Sequence, residues 1–200
     1  EVCADEVSLA QACDVLASWD RRQDIDSVGA HIFNEFWNNV RQIRDHFAVE
    51  FDVNDPVNTP RGLTTDQAET RAYILDALKA SVATLEELNI PLDAKWGDVQ
   101  FAARNGEKIG IPGGAGGAGM FSVITSRLNG ETGGYSPITH GNSYIQTVTW
   151  NDDGSPNADA VLTYSQSPEP DSPFYSDLTK LYSNSQWIKL PFTDVEIENN

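Results

Sequence analysis

Three histidines, His31, His46 and His140, are the only imidazole bases in this 200-residue sequence. Hydrolysis of an amide or ester needs such a base beside a nucleophile, with donors aimed at the oxyanion that develops on the carbonyl. His140 opens the segment HGNSYIQTVTW, so Gly141, Asn142 and Ser143 follow it directly. An imidazole, a hydroxyl and a side-chain amide are the right groups for that chemistry. Neighbouring residues on a strand or tight turn point in different directions, however, and adjacency in sequence does not make them converge. His31 and His46 lie in or near a helical stretch with no Gly-x-Ser-x-Gly elbow, and the expectation for both is a solvent-facing or capping role.

Other reaction types find no better set. There is no His-Glu-x-x-His and no Cys-x-x-Cys, so no zinc site is assigned. NDDGS at 151–155 lacks the spaced carboxylates and distant Glu of a calcium loop and reads as a hairpin turn. GGAGGAG at 113–119 is not followed by Gly-Lys-Ser/Thr, which sets it apart from a phosphate loop; it reads as a mobile or closely packed loop. A glycosidase pair is recognised by the separation of two carboxylates in space, and no spacing here singles one out. Arg104 reads as a surface charge and Asn142 as a turn residue. From the residues alone, no catalytic residue, metal ligand or cofactor is assigned.

Thirteen Lys and Arg against 30 Asp and Glu give a formal charge of −17, which repels a phosphate backbone and argues against a nucleic-acid partner. No run of 18 apolar residues is present, so no membrane span is expected. Hydrophobic residues at 40% are enough for a folded core. EVCADEVS has neither the positive start nor the apolar stretch of a signal peptide, so any export signal is expected to have been removed or to belong to a longer precursor. Cys3 and Cys13 are too few to build a fold on disulfides, and two free thiols remain an open reading.

The elements that must position these residues fall into two groups. Leu9, Cys13, Leu16 and Trp19 lie on one side of a helix beginning at Ser8, and Ile32, Phe36, Val40, Ile43 and Phe47 predict a second, amphipathic helix. After a Pro-rich loop at 52–62, Thr64 and Gln67 suggest a capping box for a third helix carrying Ala68, Leu75, Leu78, Val82 and Leu85, which stops at 89–91. Beyond it, short strands flank the Asn105-Gly106 turn, and MFSVIT, YIQTVTW and AVLTYSQ read as further strands. The tail from Pro170, punctuated by Phe174, Tyr175, Leu178, Leu181, Tyr182 and Trp187, reads as an ordered cover over a sheet. The expectation is an α+β chain, with 1–92 mainly helical and 93–200 mainly β with a C-terminal covering element.

ACDVLASWD, DSVGAHIFNEFW, WGDVQ, HGNSYIQTVTW, VLTYSQS, SPFYSDLTKLYS and WIKLPFT, in this order, resemble the C-terminal part of the large subunit of the penicillin acylase family. The resemblance covers nearly the whole chain and is narrower toward acylases that remove acyl chains from homoserine lactones or lipopeptides. It implies an N-terminal-nucleophile hydrolase with layered helices and antiparallel sheet. It further implies an exported, periplasmic or secreted precursor that cleaves itself and exposes a serine whose own α-amine acts as base. This chain begins with Glu1, and the family's catalytic Asn and substrate-orienting Arg are expected upstream of ACDVLASWD. The chain is therefore expected to supply architecture and to be inactive alone, its partners being the upstream large-subunit segment and the small subunit, with a small acylated amide as the whole enzyme's substrate.

Export, as the resemblance implies it, points to a Cys3–Cys13 disulfide, which requires the chain near Cys3 to fold back because ten helical residues extend about 15 Å. In the same light His140 to Ser143 becomes a structural turn at the entrance to a central strand, with Gly141 permitting close backbone approach and Asn142 and Ser143 bonding the turn. The alternative is a secreted binding module without catalysis, whose exposed aromatics, Trp96, Trp150 or Trp187, contact a ligand; burial of those rings argues against it.

Overall fold

The computed structural model describes Cys3, residues 6–40 and residues 47–199. The chain divides into two units, Glu1–Arg22 with Ser27–Lys95 and Gln23–Asp26 with Trp96–Asn200. Helices and small antiparallel sheets share the chain, an α+β composition.

The first unit opens on a 3-10 turn, Val7–Leu9, that runs into α1, Ala10–Ser18, and buries Leu9 and Ala12. Cys3 and Cys13 are joined by a disulfide, their Cα atoms 6.3 Å apart, which sets Cys3 beside α1. Trp19 ends the helix with an extended backbone, its indole N–H donates to the Arg22 carbonyl at 2.8 Å, and its ring lies 4.9 Å from Phe33.

α2, Ala30–Val40, buries Ala30, His31, Ile32 and Val40. The 3.6-residue pattern extrapolated to Phe47 overshoots: Phe47 belongs to β1, Phe47–Val49, where it pairs with Leu63 of β2, Arg61–Leu63. Ile43 and His46 lie outside the described residues. α3, Ala68–Glu87, packs on α2 through Ile74 and Ala77 against Val40, with Phe36, Trp37 and Tyr73 around them. The interface is tied by Asn39 Nδ2 donating to Ser81 Oγ at 3.1 Å and Tyr73 Oη donating to the Asn39 carbonyl at 3.2 Å.

The Thr64 capping box does not form. The Gln67 amide donates to the Thr64 carbonyl in a turn, so α3 starts at Ala68 with Gln67 as its N-cap and no side-chain cap bond. At the other end Asn89 takes a left-handed φ of 56°, and the Ile90 amide reaches back to the Leu85 carbonyl at 2.9 Å. This is the Schellman closure that satisfies the last helical carbonyls.

In the second unit, one helical turn, α4 at Trp96–Val99, precedes the hairpin of β3, Phe101–Arg104, and β4, Glu107–Gly110. Asn105 and Gly106 turn it with φ of 49° and 79°, as a two-residue type I′ connection requires. Three short strands follow, β5 at Ile124–Thr125, β6 at Leu128–Asn129 and β7 at Gly134–Tyr135; β6 pairs β7, and β5 pairs β8, His140–Gly141. MFSVIT thus yields only a two-residue strand.

β9, Tyr144–Trp150, and β10, Pro156–Leu162, form the long hairpin, and β11, Ile188–Leu190, extends it in the order β11-β10-β9. The AVLTYSQ strand begins four residues earlier than its apolar run suggests, because Pro156 pairs with Trp150 directly after the turn. In that turn Asp153 Oδ1 accepts from the Ser155 amide and hydroxyl, which holds its carboxyl below the usual range. α5, Asp177–Ser183, covers the sheet by seating Leu178 and Tyr182 in a core of Ile109, Ile111, Ile124, Ile145 and Val161. α6, Asp194–Glu198, carries a capping box between Thr193 and Glu196.

Candidate functional site

His140 sits in β8 opposite Thr125, with its ring exposed to solvent. Gly141 faces Ile124, and a Cβ there would come within 2.9 Å of the Val123 carbonyl and 3.0 Å of Ile124 Cδ1. The two strand segments approach this closely because position 141 has no side chain. Asn142 then works as a clamp. Its amide donates to Val123 O at 3.2 Å, its Nδ2 donates to Phe121 O at 3.2 Å, and its carbonyl accepts from Thr163 Oγ1 at 2.6 Å. The Ser143 carbonyl accepts the Thr163 amide at 3.1 Å, while its side chain faces solvent.

The segment is thus pinned by its backbone and by the Asn142 amide between Phe121–Val123 and Thr163. Among the described residues, no hydrogen bond joins the His140 ring to the Ser143 hydroxyl, and no group of three or more His, Cys, Asp and Glu is placed to hold a metal ion. The arrangement can fix the start of β9; it does not assemble a base and nucleophile.

The glycine-rich loop is braced at its base by buried polar side chains. Gln100, 1% exposed, donates from Nε2 to the Ile111 and Gly113 carbonyls at 2.8 and 2.9 Å, and its Oε1 accepts from Ser126. Trp96 adds an indole donor to Gly113 O at 2.9 Å, and the Gly113 amide reaches the Gln23 carbonyl at 2.9 Å. Gly113 has φ of 92°, and a Cβ there would meet Ser122 O at 2.3 Å. Near it, Tyr182 donates to Pro112 O at 3.1 Å and bonds the Ser122 hydroxyl; burial pushes its phenol upward in pKa. The gap enclosed by Ile111, Ile124, Thr163 and Tyr182 is about 10 Å³, room for one water at most and not for an acyl chain.

Arg104 is half-buried, and its guanidinium lies 4.9 Å over the Tyr175 ring and 5.7 Å from that of Tyr164, which links the 164–175 loop to the β3–β4 hairpin. One single-residue expectation is corrected. His31 is neither solvent-facing nor a cap. It is fully buried, Nε2 donates to the Pro91 carbonyl at 3.0 Å, and Nδ1 is an unpartnered buried acceptor, so desolvation lowers its pKa below 6.5. Its partner is 60 residues away, out of reach of any local pattern. The Thr193–Glu196 box, in contrast, carries a local T-x-x-E pattern that none of the expectations above drew on.

Residues 2–199 match the penicillin amidase family. The chain belongs to that family. Its penicillin amidase relatives include the acyl-homoserine lactone acylase PvdQ of Pseudomonas syringae pv. syringae, 33% identical over 199 residues, covering 99% of this chain and 25% of the relative. The aculeacin-A acylase of Actinoplanes utahensis is 38% identical over 192 residues, covering 96% of this chain and 23% of the relative. The chain spans about a quarter of the length of the curated relatives it matches. Among the described residues no helix is long and apolar enough to cross a membrane.

Proposed function

We propose that this chain is the C-terminal structural part of the large subunit of an amide-hydrolysing acylase. The observation that carries this reading is a family match running from residue 2 to 199 within about a quarter of the length of relatives named as acylases. In this reading the whole protein is an exported N-terminal-nucleophile hydrolase that removes acyl chains from homoserine lactones, lipopeptides or β-lactams. A serine in another segment attacks the amide carbonyl, its α-amine takes the hydroxyl proton and passes it to the departing amine, and water then releases the acid from the acyl-enzyme. The chain contributes position. The His140–Ser143 turn, held by Asn142 and Thr163, sets the start of a long strand.

The purified chain and the complete protein, each offered an acyl-homoserine lactone and a penicillin, are compared by release of free amine. Activity confined to the complete protein supports the reading; turnover that tracks the chain alone overturns it. In the complete protein Ser143→Ala is expected to leave the acyl adduct detectable by mass, since the Ser143 side chain faces solvent and holds no hydrogen bond among the described residues. Disappearance of the adduct in a folded, processed variant makes Ser143 the nucleophile.

The binding-module alternative needs an aromatic platform. Trp96 is 1% exposed and lies 5.2 Å from the buried Tyr135, and Trp187 packs on the core, which leaves Trp150 of that trio facing solvent at 70% exposure.

A further inference from the structure

The register of the β11-β10-β9 sheet sorts its side chains onto two faces. Gln146, Val148 and Trp150 of β9 stand opposite Ala160, Ala158 and Pro156 of β10, and Ala160 and Ala158 stand opposite Ile188 and Leu190 of β11. Residues directly opposite share a face, so these positions form one side. The other side carries Ile145 and Val161, buried in the core, and then Thr147, Thr149, Asn157, Asp159 and Lys189.

Beyond Ile145 and Val161 both sides of the sheet are open to solvent, the polar one through Thr147, Thr149 and Lys189, the apolar one through Val148, Trp150 and Ile188. An antiparallel sheet with one wet face puts its polar side toward water. Here Val148 is 41%, Trp150 70% and Ile188 42% exposed, and Phe192, next to the sheet in sequence, is 62% exposed. Between them runs a shallow groove of about 270 Å³ lined by Gln146, Val148, Ala158, Leu190 and Phe192. Exposed apolar side chains gathered along one sheet face, in a chain of charge −17, are the kind of surface at which contacts form.

Resting on the reading that the chain is part of a larger acylase, we infer that this sheet face is the docking surface for an apolar layer contributed by the rest of the same protein. That occupant is favoured because the matched relatives extend to about four times the length of this chain. An apolar layer set against Val148, Trp150, Ile188 and Phe192 turns an exposed sheet into the inner half of a sandwich.

Oxidative footprinting of the complete wild-type protein, native and unfolded, tests this without a substitution. Trp150 is expected to be protected to the level of the buried Trp96. Oxidation of native Trp150 at nearly its unfolded rate, as its exposure in this chain dictates, overturns the inference. Protection that grows with protein concentration also overturns it, because a second copy is then the occupant. As an independent arm, Val148→Glu in the complete protein is expected to abolish recovery of soluble, assembled protein, while Val57→Glu, on a loop position 91% exposed, leaves it intact. Normal assembly of Val148→Glu refutes the docking surface. Protected Trp150 in a protein that hydrolyses no acyl amide leaves the docking surface standing and removes the acylase reading.

Discussion

Gly141 and His31 are single residues whose environments constrain what can replace them. At position 141 the intruding atom is a backbone carbonyl, Val123 O at 2.9 Å from a built Cβ, so relief requires β5 and β8 to separate. Gly141→Ala is expected to lower stability by about 1–3 kcal/mol through this overpacking, read as a lower urea midpoint with an unchanged slope. His31 makes the first unit sensitive to acid. The unfolded imidazole titrates near 6.5 and the folded one lower, so below 6.5 the unfolded state binds more protons and stability falls with pH. The loss begins as pH drops through 6.5 and is complete below the folded value, with Asp93 and the Pro91 carbonyl opposing the shift. His31→Gln keeps a donor for Pro91 and cannot titrate. Its melting temperature is expected to be flatter than wild type between neutrality and the folded pKa, and parallel curves would remove His31 as the cause.

Among the elements, the α4 turn and the glycine-rich loop depend on one buried amide. Gln100→Leu removes both donors from Nε2 and leaves the Ile111 carbonyl without its side-chain partner, at a cost of about 1–3 kcal/mol. Faster amide exchange across 111–119 is the expected signature, with α3 unaffected. This bracing was not legible in the sequence, since Gln100 meets its acceptors 11 and 13 residues away, across a hairpin. What was legible is what local chemistry decides: the Asn105-Gly106 turn, the β9–β10 hairpin with NDDGS between its strands, and the three-to-four spacing of the buried positions in α3. The failures have the same cause in reverse. Phe47 continues a helical spacing in sequence, but its pairing with Leu63 makes it strand; Thr64 and Gln67 carry a capping signature, but a local turn occupies them first. In the His140–Ser143 segment the residue types favoured a turn over chemistry, and the contacts that pin it, to Val123 and Thr163, lie too far away in sequence for any local pattern to reach.

At the scale of the molecule, the Cys3–Cys13 disulfide ties Cys3 to α1. Native protein from an oxidising compartment is expected to gain about 2 Da on reduction, as two thiols replace one disulfide; an unchanged mass excludes the bond.

A last consequence concerns how copies of this chain behave toward one another in solution. Among the described residues β9 has β10 as its single neighbour, so its far edge presents unsatisfied N–H and C=O groups beside Tyr144 and Trp150. Such an edge is a template for another strand, and what holds identical copies off it is their mutual repulsion at a charge of −17. Salt removes that barrier, since the screening length falls from about 30 Å at 0.01 M to about 3 Å at 1 M. Light scattering by the isolated chain should therefore rise with sodium chloride. Thr149→Lys, which sets a cation on the edge strand, should suppress the rise, and scattering indifferent to salt would show that charge is not what keeps the edges apart.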